Sequence, residues 1–387
     1  MKIAIDARCL EWQRGGVSRF LVKYLELSNR YMPNQHYVLY FQNNIPNDIF
    51  LNNDKFDCKV IRGPRFLKKH RILCEQILLP FQLYRDSIDL LFAPWYTAPV
   101  LLFRTKLILC LWDISFITHP THYNLIHQFS LGFFAKISAK KALRIITCSE
   151  FDSLQIQKYL NFSLSKILTL NLPAETKFDV KVNQSFIDFE LSKLNIRPPY
   201  ILSLGVIYNR RNIPTLIDAF EIVIKKHSNI NLVIIGRNAT NPIFKLNDRL
   251  SFLIKCGKVK YFDYVDENFL IPLYKAATFY YCTSDVDGEA ILLKEAMLSG
   301  IPILSSNMLK LATNNFGVYV EKPKDKNEVA DAINYILDNQ QKMIMQALNS
   351  QNWVRSITWE TAIFETTNLL LNLKNKKNET NSTGSRA

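Results

Sequence analysis

The sequence predicts an α/β protein built from two doubly wound domains that face a cleft, and three observations predict it. Apolar, β-rich runs alternate with amphipathic helical stretches from one end to the other, the pattern of parallel strands covered by helices on both faces. The pattern restarts near residue 200, where Pro198-Pro199 closes a polar stretch and Tyr200-Ile201-Leu202-Ser203-Leu204-Gly205 opens a new strand–loop–helix unit. A chain of 387 residues is also long for one core and suits two of ordinary size.

Strands are expected at Lys2–Ile5, Tyr37–Phe41, Leu90–Phe92, Leu107–Leu111 and Ile145–Thr147 in the first half. In the second half they are expected at Ile201–Leu204, Asn231–Ile235, Phe279–Cys282 and Ile303–Leu304. Helical periodicity marks Ser18–Arg30, Phe129–Leu143, Pro214–Lys226, Asn268–Ala277 and Ala290–Ser299. The domains are placed at 1–175 and 198–352, both Rossmann-like, with a polar helical connector over 176–197. A C-terminal helix follows over 353–373 and a flexible tail over 374–387.

Composition narrows the class. Hydrophobic residues make up 48% of the chain and charged ones 21%, which excludes a disordered protein. The formal net charge of +14 favours anionic ligands: a diphosphate, an anionic lipid surface or a polyanion. The cysteines, Cys9, Cys58, Cys74, Cys110, Cys148, Cys256 and Cys282, are scattered and odd in number, with no C-x-x-C pair. They suit a reducing compartment, and a cytoplasmic location is expected. His119, His122 and His127 fall in one stretch, but no Cys, Asp or Glu completes a ligand set there, so no metal is expected. Met1 to Arg8 reads as a short buried strand and not as an apolar leader. The greasiest region, 90–117, is cut by Arg104, Lys106 and Asp113, so no membrane-spanning helix is expected.

The most informative segment runs from Ser284 through Asp285, Asp287, Gly288 and Glu289 to Glu295-Ala296-Met297, then Gly300-Ile301-Pro302. It leaves an apolar strand, turns at a glycine and enters a helix, whose free N–H groups suit phosphate or sugar oxygens. Two helical residues eight positions apart, as Asp287 and Glu295 are, would lie about 12 Å apart along the axis. Retaining glycosidases hold their carboxylates about 5 Å apart, so this is no hydrolytic pair. Taken alone, the spacing equally allows a helix cap at Asp287 and a solvated Glu295.

This segment resembles the E-x7-E region of glycosyltransferase family 4, retaining enzymes of the GT-B fold. Gly288, Glu295, Ala296, Met297, Gly300 and Pro302 match. Asp287 stands for the first Glu, Glu289 for Phe, Ala290 for Gly and Leu292 for Pro. The resemblance implies that Asp287, Gly288, Glu289, Ala290, Ile291 and Leu292 cradle the donor sugar and that Glu295 holds the ribose. Leu204-Gly205 through Asn209-Arg210-Arg211-Asn212 is similar to the family's Gly-x4-Arg-Lys-Asn, with Arg211 where Lys is usual. It implies that Arg210 and Arg211 neutralise the leaving diphosphate, a charge-stabilising role that is often the largest catalytic term. A solvated basic turn is the alternative for those two residues alone.

The opening strand with Gly15, Gly16 and Arg19 resembles the family's Gly-rich loop, implying donor-phosphate contact at Gly16 and an acceptor side at Gly15 and Arg19. Trp112-Asp113 falls where the family has His-Asp; the resemblance places Trp112 beside the acceptor and Asp113 in the catalytic set. Asp113 is otherwise read as the cap of the next turn. Smaller echoes put Gly205, Asn209, Gly236, Tyr264 and Val265 around the nucleotide and imply that the C-terminal helix crosses back to the first domain.

The resemblance spans residues 1 to about 370. It implies an enzyme with a UDP- or GDP-sugar as co-substrate, no cofactor, no metal, and a saccharide or lipid-linked acceptor. Its expected setting is cell-surface polysaccharide or lipopolysaccharide assembly. Basic, greasy segments at 62–73 and 129–144 suit an anionic membrane surface at the inner face of the cytoplasmic membrane, or else a solvated helix face. Nucleic acid is not an expected partner. Two alternatives stay open: a nucleotide-sugar-binding protein that has lost catalysis, and a nucleotide-sugar epimerase of the same architecture.

Overall fold

The computed structural model describes residues 1–11, 16–48, 51–120, 125–286 and 290–383; the side chains of 125–129 and 374–383 are not described. The chain divides into two compact units, Met1–Asn171 with Thr358–Ala387, and Leu172–Ile357.

The first unit is built on a seven-stranded, wholly parallel sheet. Its strands are β1 (Ile3–Asp6), β2 (Tyr37–Phe41), β3 (Phe56–Val60), β4 (Leu90–Ala93), β5 (Lys106–Cys110), β6 (Arg144–Thr147) and β7 (Ile167–Thr169), in the order β3-β2-β1-β4-β5-β6-β7. β1 pairs with β2 through Ile3↔Tyr37 and with β4 through Ile3↔Leu90. β1, β2 and β4 are buried along their whole length, as the interior of a sheet covered on both faces requires. The order reverses between β1 and β4, which opens a crevice at their carboxyl ends.

The second unit repeats the design with six parallel strands in the order β10-β9-β8-β11-β12-β13. They are β8 (Tyr200–Leu204), β9 (Asn231–Ile235), β10 (Val259–Phe262), β11 (Phe279–Cys282), β12 (Ile303–Ser306) and β13 (Val318–Val320). Here the reversal falls between β8 and β11, which pair through Phe279↔Ile201. One face of the sheet packs Leu202, Tyr280 and Ile303 against Leu293, Ala296 and Met297. The other packs Ile201, Leu232 and Phe279 against Leu216, Phe220 and Ile333.

Three segments differ from expectation. The stretch 176–197 is no free connector: Phe178, Ile187, Leu191 and Ile196 are buried in the core of the second unit. The expected C-terminal helix at 353–373 is two helices, Gln340–Ser356 and Trp359–Thr383, which belong to different units. Thr358 divides them, its hydroxyl accepting the Thr361 N–H at 3.2 Å as an N-terminal cap does. The second helix lies along Gly16–Tyr31, with the Tyr31 and Phe364 rings 5.3 Å apart. Its backbone stays helical to Thr383, past residue 373, because lengthening a formed helix costs far less than nucleating one.

Candidate functional site

Strand order places the two motif loops of the second unit side by side. The loop after β8 carries Gly205 to Asn212, and the loop after β11 carries Thr283 to Val286 and leads to the helix Ile291–Leu298. Because β8 and β11 are neighbours at the reversal, both loops leave the same edge of the sheet. Hydrogen bonds stitch them together. The Asp285 N–H donates to Arg210 O at 2.8 Å, and Asn212 Nδ2 donates to Thr283 O and to Asp285 Oδ1, both at 2.9 Å. Asp285 also pairs with Lys324 at 3.1 Å, so its carboxylate serves the scaffold.

Close approach explains the glycines. Gly205 has φ +119°, and a Cβ there would sit 2.7 Å from Leu292 Cδ1 and 3.0 Å from both terminal nitrogens of Arg211. A Cβ on Gly236 (φ +149°) would lie 2.1 Å from Gly205 O, so only glycine fits between the β8 and β9 turns. Arg211 Nη1 donates to Leu204 O at 3.0 Å, which turns its guanidinium inward over the end of β8. Arg210 stacks over the Tyr208 ring at 4.6 Å and forms no ion pair with the described residues.

The acid-bearing helix meets the same point. Glu295 is 7% exposed, which excludes the solvated reading. The buried Tyr274 hydroxyl donates to Glu295 Oε2 at 3.2 Å. Burial first, then Tyr280 and Glu295, push that hydroxyl well above its ordinary range, while Arg211 pulls it down. Tyr274 therefore feels the carboxylate and the guanidinium together: Arg211, Leu292, Glu295 and Gly205 surround one place. Ala290 begins the helix at φ +47°, in the left-handed region that glycine tolerates and alanine resists, and it is fully buried. Among the described residues, Ala290 gives the first-turn N–H groups of this helix no side-chain cap. Asp287, Gly288 and Glu289 lie outside the described residues, as does Gly15.

Other expected residues are placed less centrally. Val265 is buried in the core and Tyr264 beside it is 76% exposed. Asn209 is committed elsewhere: its amide bridges the Asn241 backbone through Nδ2 to Asn241 O at 2.9 Å and from Asn241 N to Oδ1 at 2.7 Å. In the first unit, Gly16 starts the helix Gly16–Tyr31 and Arg19 lies half-buried on its first turn.

Trp112 requires a correction. It is 2% exposed, its indole N–H donates to Pro94 O at 2.9 Å, and its ring meets Phe20 edge-on at 4.8 Å. The large apolar ring goes into the core, where its single donor is satisfied, and leaves no face for a sugar. Asp113 is a turn cap: its Oδ1 accepts from the Ser115 N–H at 2.8 Å and Ser115 Oγ at 2.6 Å, and Oδ2 from Tyr96 at 3.1 Å. These are the contacts that the cap reading of Asp113 expected.

The crevice of the first unit holds residues the sequence reading passed over. Arg8 is fully buried between Asp6 (Nε–Oδ1 2.7 Å) and Glu75 (Nη2–Oε2 2.5 Å). Arg71 lies over the Trp95 ring at 4.3 Å, and burial, against the pull of Glu75, brings its guanidinium down to about 10. Beside them opens a cavity of about 310 Å³ lined by His70, Arg71, Glu75, Thr97, Ser130 and Phe134, among others. The signal available in the sequence was Asp6-Ala7-Arg8, charges placed at the end of a buried strand.

With this geometry, the comparisons with known proteins converge. Residues 186–353 match the model of the family described as glycosyl transferases group 1. This part of the chain is similar to the group 1 glycosyltransferases. The chain is 23% identical over 273 residues to O-antigen chain mannosyltransferase B of Escherichia coli, covering 66% of this chain and 68% of that one. Among solved structures, sucrose-phosphate synthase from Thermosynechococcus elongatus superposes with a TM-score of 0.71 at 16% identity, over 97% of this chain and 99% of that one. WaaG, a glycosyltransferase involved in lipopolysaccharide biosynthesis, gives 0.66 at 14% identity, over 95% and 99%. Anabaena HepE, solved with UDP-glucose, gives 0.67 at 16% identity, over 96% and 99%. The two-sheet architecture is the GT-B fold. Among the described residues, no helix is long and apolar enough to cross a membrane.

Proposed function

We propose that the enzyme transfers a hexosyl group from a UDP- or GDP-sugar to a saccharide or lipid-linked acceptor in cell-surface polysaccharide or lipopolysaccharide assembly, with retention of configuration and no metal. The observation that carries this reading is the meeting of Arg211 with Leu292 and Glu295 at the β8–β11 reversal, where the Arg210 backbone is bonded to the loop leading into the Glu295 helix. Two guanidinium groups beside a helix N-terminus favour a diphosphate, and they favour it most as the bond to the sugar breaks and the phosphate gains charge. Arg211 offers forked donors to phosphate oxygens. Glu295, held by Tyr274, presents acceptor oxygens to the vicinal hydroxyls of a ribose. The backbone N–H groups of Ile291 and Leu292 face the sugar side, with Ala290 setting their direction and Asp287, Gly288 and Glu289 completing the loop.

The family match over residues 186–353 supports the transferase reading, and the mannosyltransferase similarity and the UDP-glucose complex of HepE support a nucleotide-sugar donor. The acceptor is assigned to the first unit's cavity beside Arg71 and Thr97, at the β1–β4 reversal where doubly wound sheets bind ligands. Arg19, on the first turn of the helix Gly16–Tyr31, is proposed for the same side. The enzyme works in the cytoplasm, peripherally on the inner face of the membrane. The test is a panel of UDP-, GDP- and dTDP-sugars assayed for stabilisation and for transfer to membrane-extracted acceptors. A donor that raises the melting temperature and is consumed only with acceptor supports the reading. Turnover of donor to an epimer without acceptor would replace it.

A further inference from the structure

The helical run Arg71–Arg85 in the first unit is apolar on both sides. Cys74, Leu78, Leu79 and Leu83 are buried on one side. Leu73, Ile77, Phe81 and Tyr84, spaced four, four and three residues apart, are exposed on the other, Phe81 by 62% and Tyr84 by 60%. A surface helix of a water-facing protein is ordinarily polar on its outer face. The exposed row extends onto a neighbouring turn. Phe103, 58% exposed and held at φ +42°, packs its ring 6.1 Å from Phe81 and 5.4 Å from Tyr84. The short helix Arg65–Lys68, with Phe66 exposed, packs against the same run.

Six cations stand exposed around this row: Arg62, Arg65, Lys69, Arg85, Arg104 and Lys106. Tyr84, Arg85 and Arg104 line one hollow, which Asp89 also touches; Asp89 accepts from the Lys2 N–H at 2.8 Å. Asp86, 12% exposed, is held by Tyr40, Gln82 and Lys59 and stands 3.7 Å from the half-exposed Arg85 guanidinium. The only acid from Arg62 to Arg85 is Glu75, which is buried against Arg8. A second copy of this face would bring arginines against arginines. An anionic bilayer meets both demands: its acyl boundary takes the aromatic rings and its headgroups meet the cations.

We infer that Leu73, Ile77, Phe81, Tyr84 and Phe103 insert into an anionic membrane surface, with Arg62, Arg65, Arg85, Arg104 and Lys106 on its headgroups. The inference rests on the proposed peripheral location and is independent of the donor site.

Co-sedimentation with vesicles tests it, using phosphatidylcholine alone against an equal mixture with phosphatidylglycerol. The wild-type chain binds the anionic vesicles and is released by high salt. F81S/F103S and R85E/R104E each lower the partition constant at least about tenfold. Neither changes the melting temperature materially or the affinity for UDP or GDP, so a failure here is distinct from a failure of the donor reading. Absence of binding to anionic vesicles overturns the inference, as does equal binding by wild type and both variants. A wild-type dimer that F81S/F103S converts to a monomer, without vesicle binding, assigns the face to a second copy instead.

Discussion

The hydroxyl of Tyr274 donates to Oε2 of Glu295 at 3.2 Å from a fully buried ring, in the field of the Arg211 guanidinium. Burial and the neighbouring carboxylate keep this phenol protonated throughout the working pH range, so it is a permanent donor that fixes the carboxylate's direction. Tyr274→Phe removes that bond and a longer one to Leu292 O at 3.5 Å. It is expected to cost about 1 kcal/mol of stability and to raise the KM for donor roughly tenfold with little change in kcat. Steady-state kinetics over donor concentration distinguish this from a general loss of packing, which would lower the amount of active enzyme and leave KM unchanged.

The paired arginines carry a different prediction. If they stabilise charge that develops as the nucleotide leaves, their removal acts on kcat. Arg210→Ala leaves the stitched loop intact, because the bond from Asp285 uses the backbone carbonyl of residue 210. It is expected to lower kcat by about 10²–10³. Arg211→Ala also removes the bond to Leu204 O and so lowers stability as well. Single-turnover rates with saturating donor are the measurement.

Ala290 gives a prediction opposite to most glycine substitutions in helices. Its φ of +47° costs an alanine about 1–2 kcal/mol, whereas introducing glycine loses roughly 0.4–1 kcal/mol through the unfolded chain. Ala290→Gly should therefore hold or raise the melting temperature. Ala290→Val, β-branched and without room at a fully buried site, should lower it by several degrees or more.

The sheets were legible in the sequence only where they are covered. Every strand expected from apolar runs was an interior strand. The four that escaped, β3, β7, β10 and β13, are the four edges of the two sheets. β3 reads Phe-Asp-Cys-Lys-Val and is mostly half-exposed, and β7 and β10 are likewise half-exposed. β3 and β10 carry charges on their open side, and β7 and β13 are three residues long, too short to show an apolar run.

The site divides in the same way. Arg210, Arg211, Gly205, Gly236 and Glu295 are set by the loop after a strand, and their neighbourhood follows from strand order. Tyr274 supports them through Glu295 across 21 residues of sequence and Asn212 through Asp285 across 73, contacts that no local spacing announces. Trp112 went astray because position in a motif was taken as position in space. The indole that replaces a polar ring finds more to bury against than the ligand side offers.

Two carboxylates of the first unit test the electrostatics apart from catalysis. Breaking the buried cluster with Glu75→Gln leaves Arg8 short of one counter-charge and should destabilise by about 3–5 kcal/mol; chemical denaturation measures it. Asp86 sits lower than an ordinary carboxyl: burial alone would raise it, but bonds from Gln82, Tyr40 and Lys59 outweigh burial. A carboxylate depressed in the folded state stabilises above its unfolded titration and loses that contribution as pH falls through the folded one. The melting-temperature gap between wild type and Asp86→Asn should thus be constant above about pH 5 and close in acid. A gap that persists in acid assigns Asp86 to packing instead.

The central claim is that one nucleotide diphosphate spans the Arg210–Arg211 loop and the Glu295 helix. Calorimetric titration of UDP and UMP, or GDP and GMP, into wild type, Arg210→Ala and Glu295→Ala tests it most directly. The account predicts that wild type prefers the diphosphate, that Arg210→Ala removes at least about tenfold of that preference, and that Glu295→Ala weakens both nucleotides alike. Unchanged affinities in both variants, or an Arg210→Ala enzyme that keeps its full preference for the diphosphate, would contradict it.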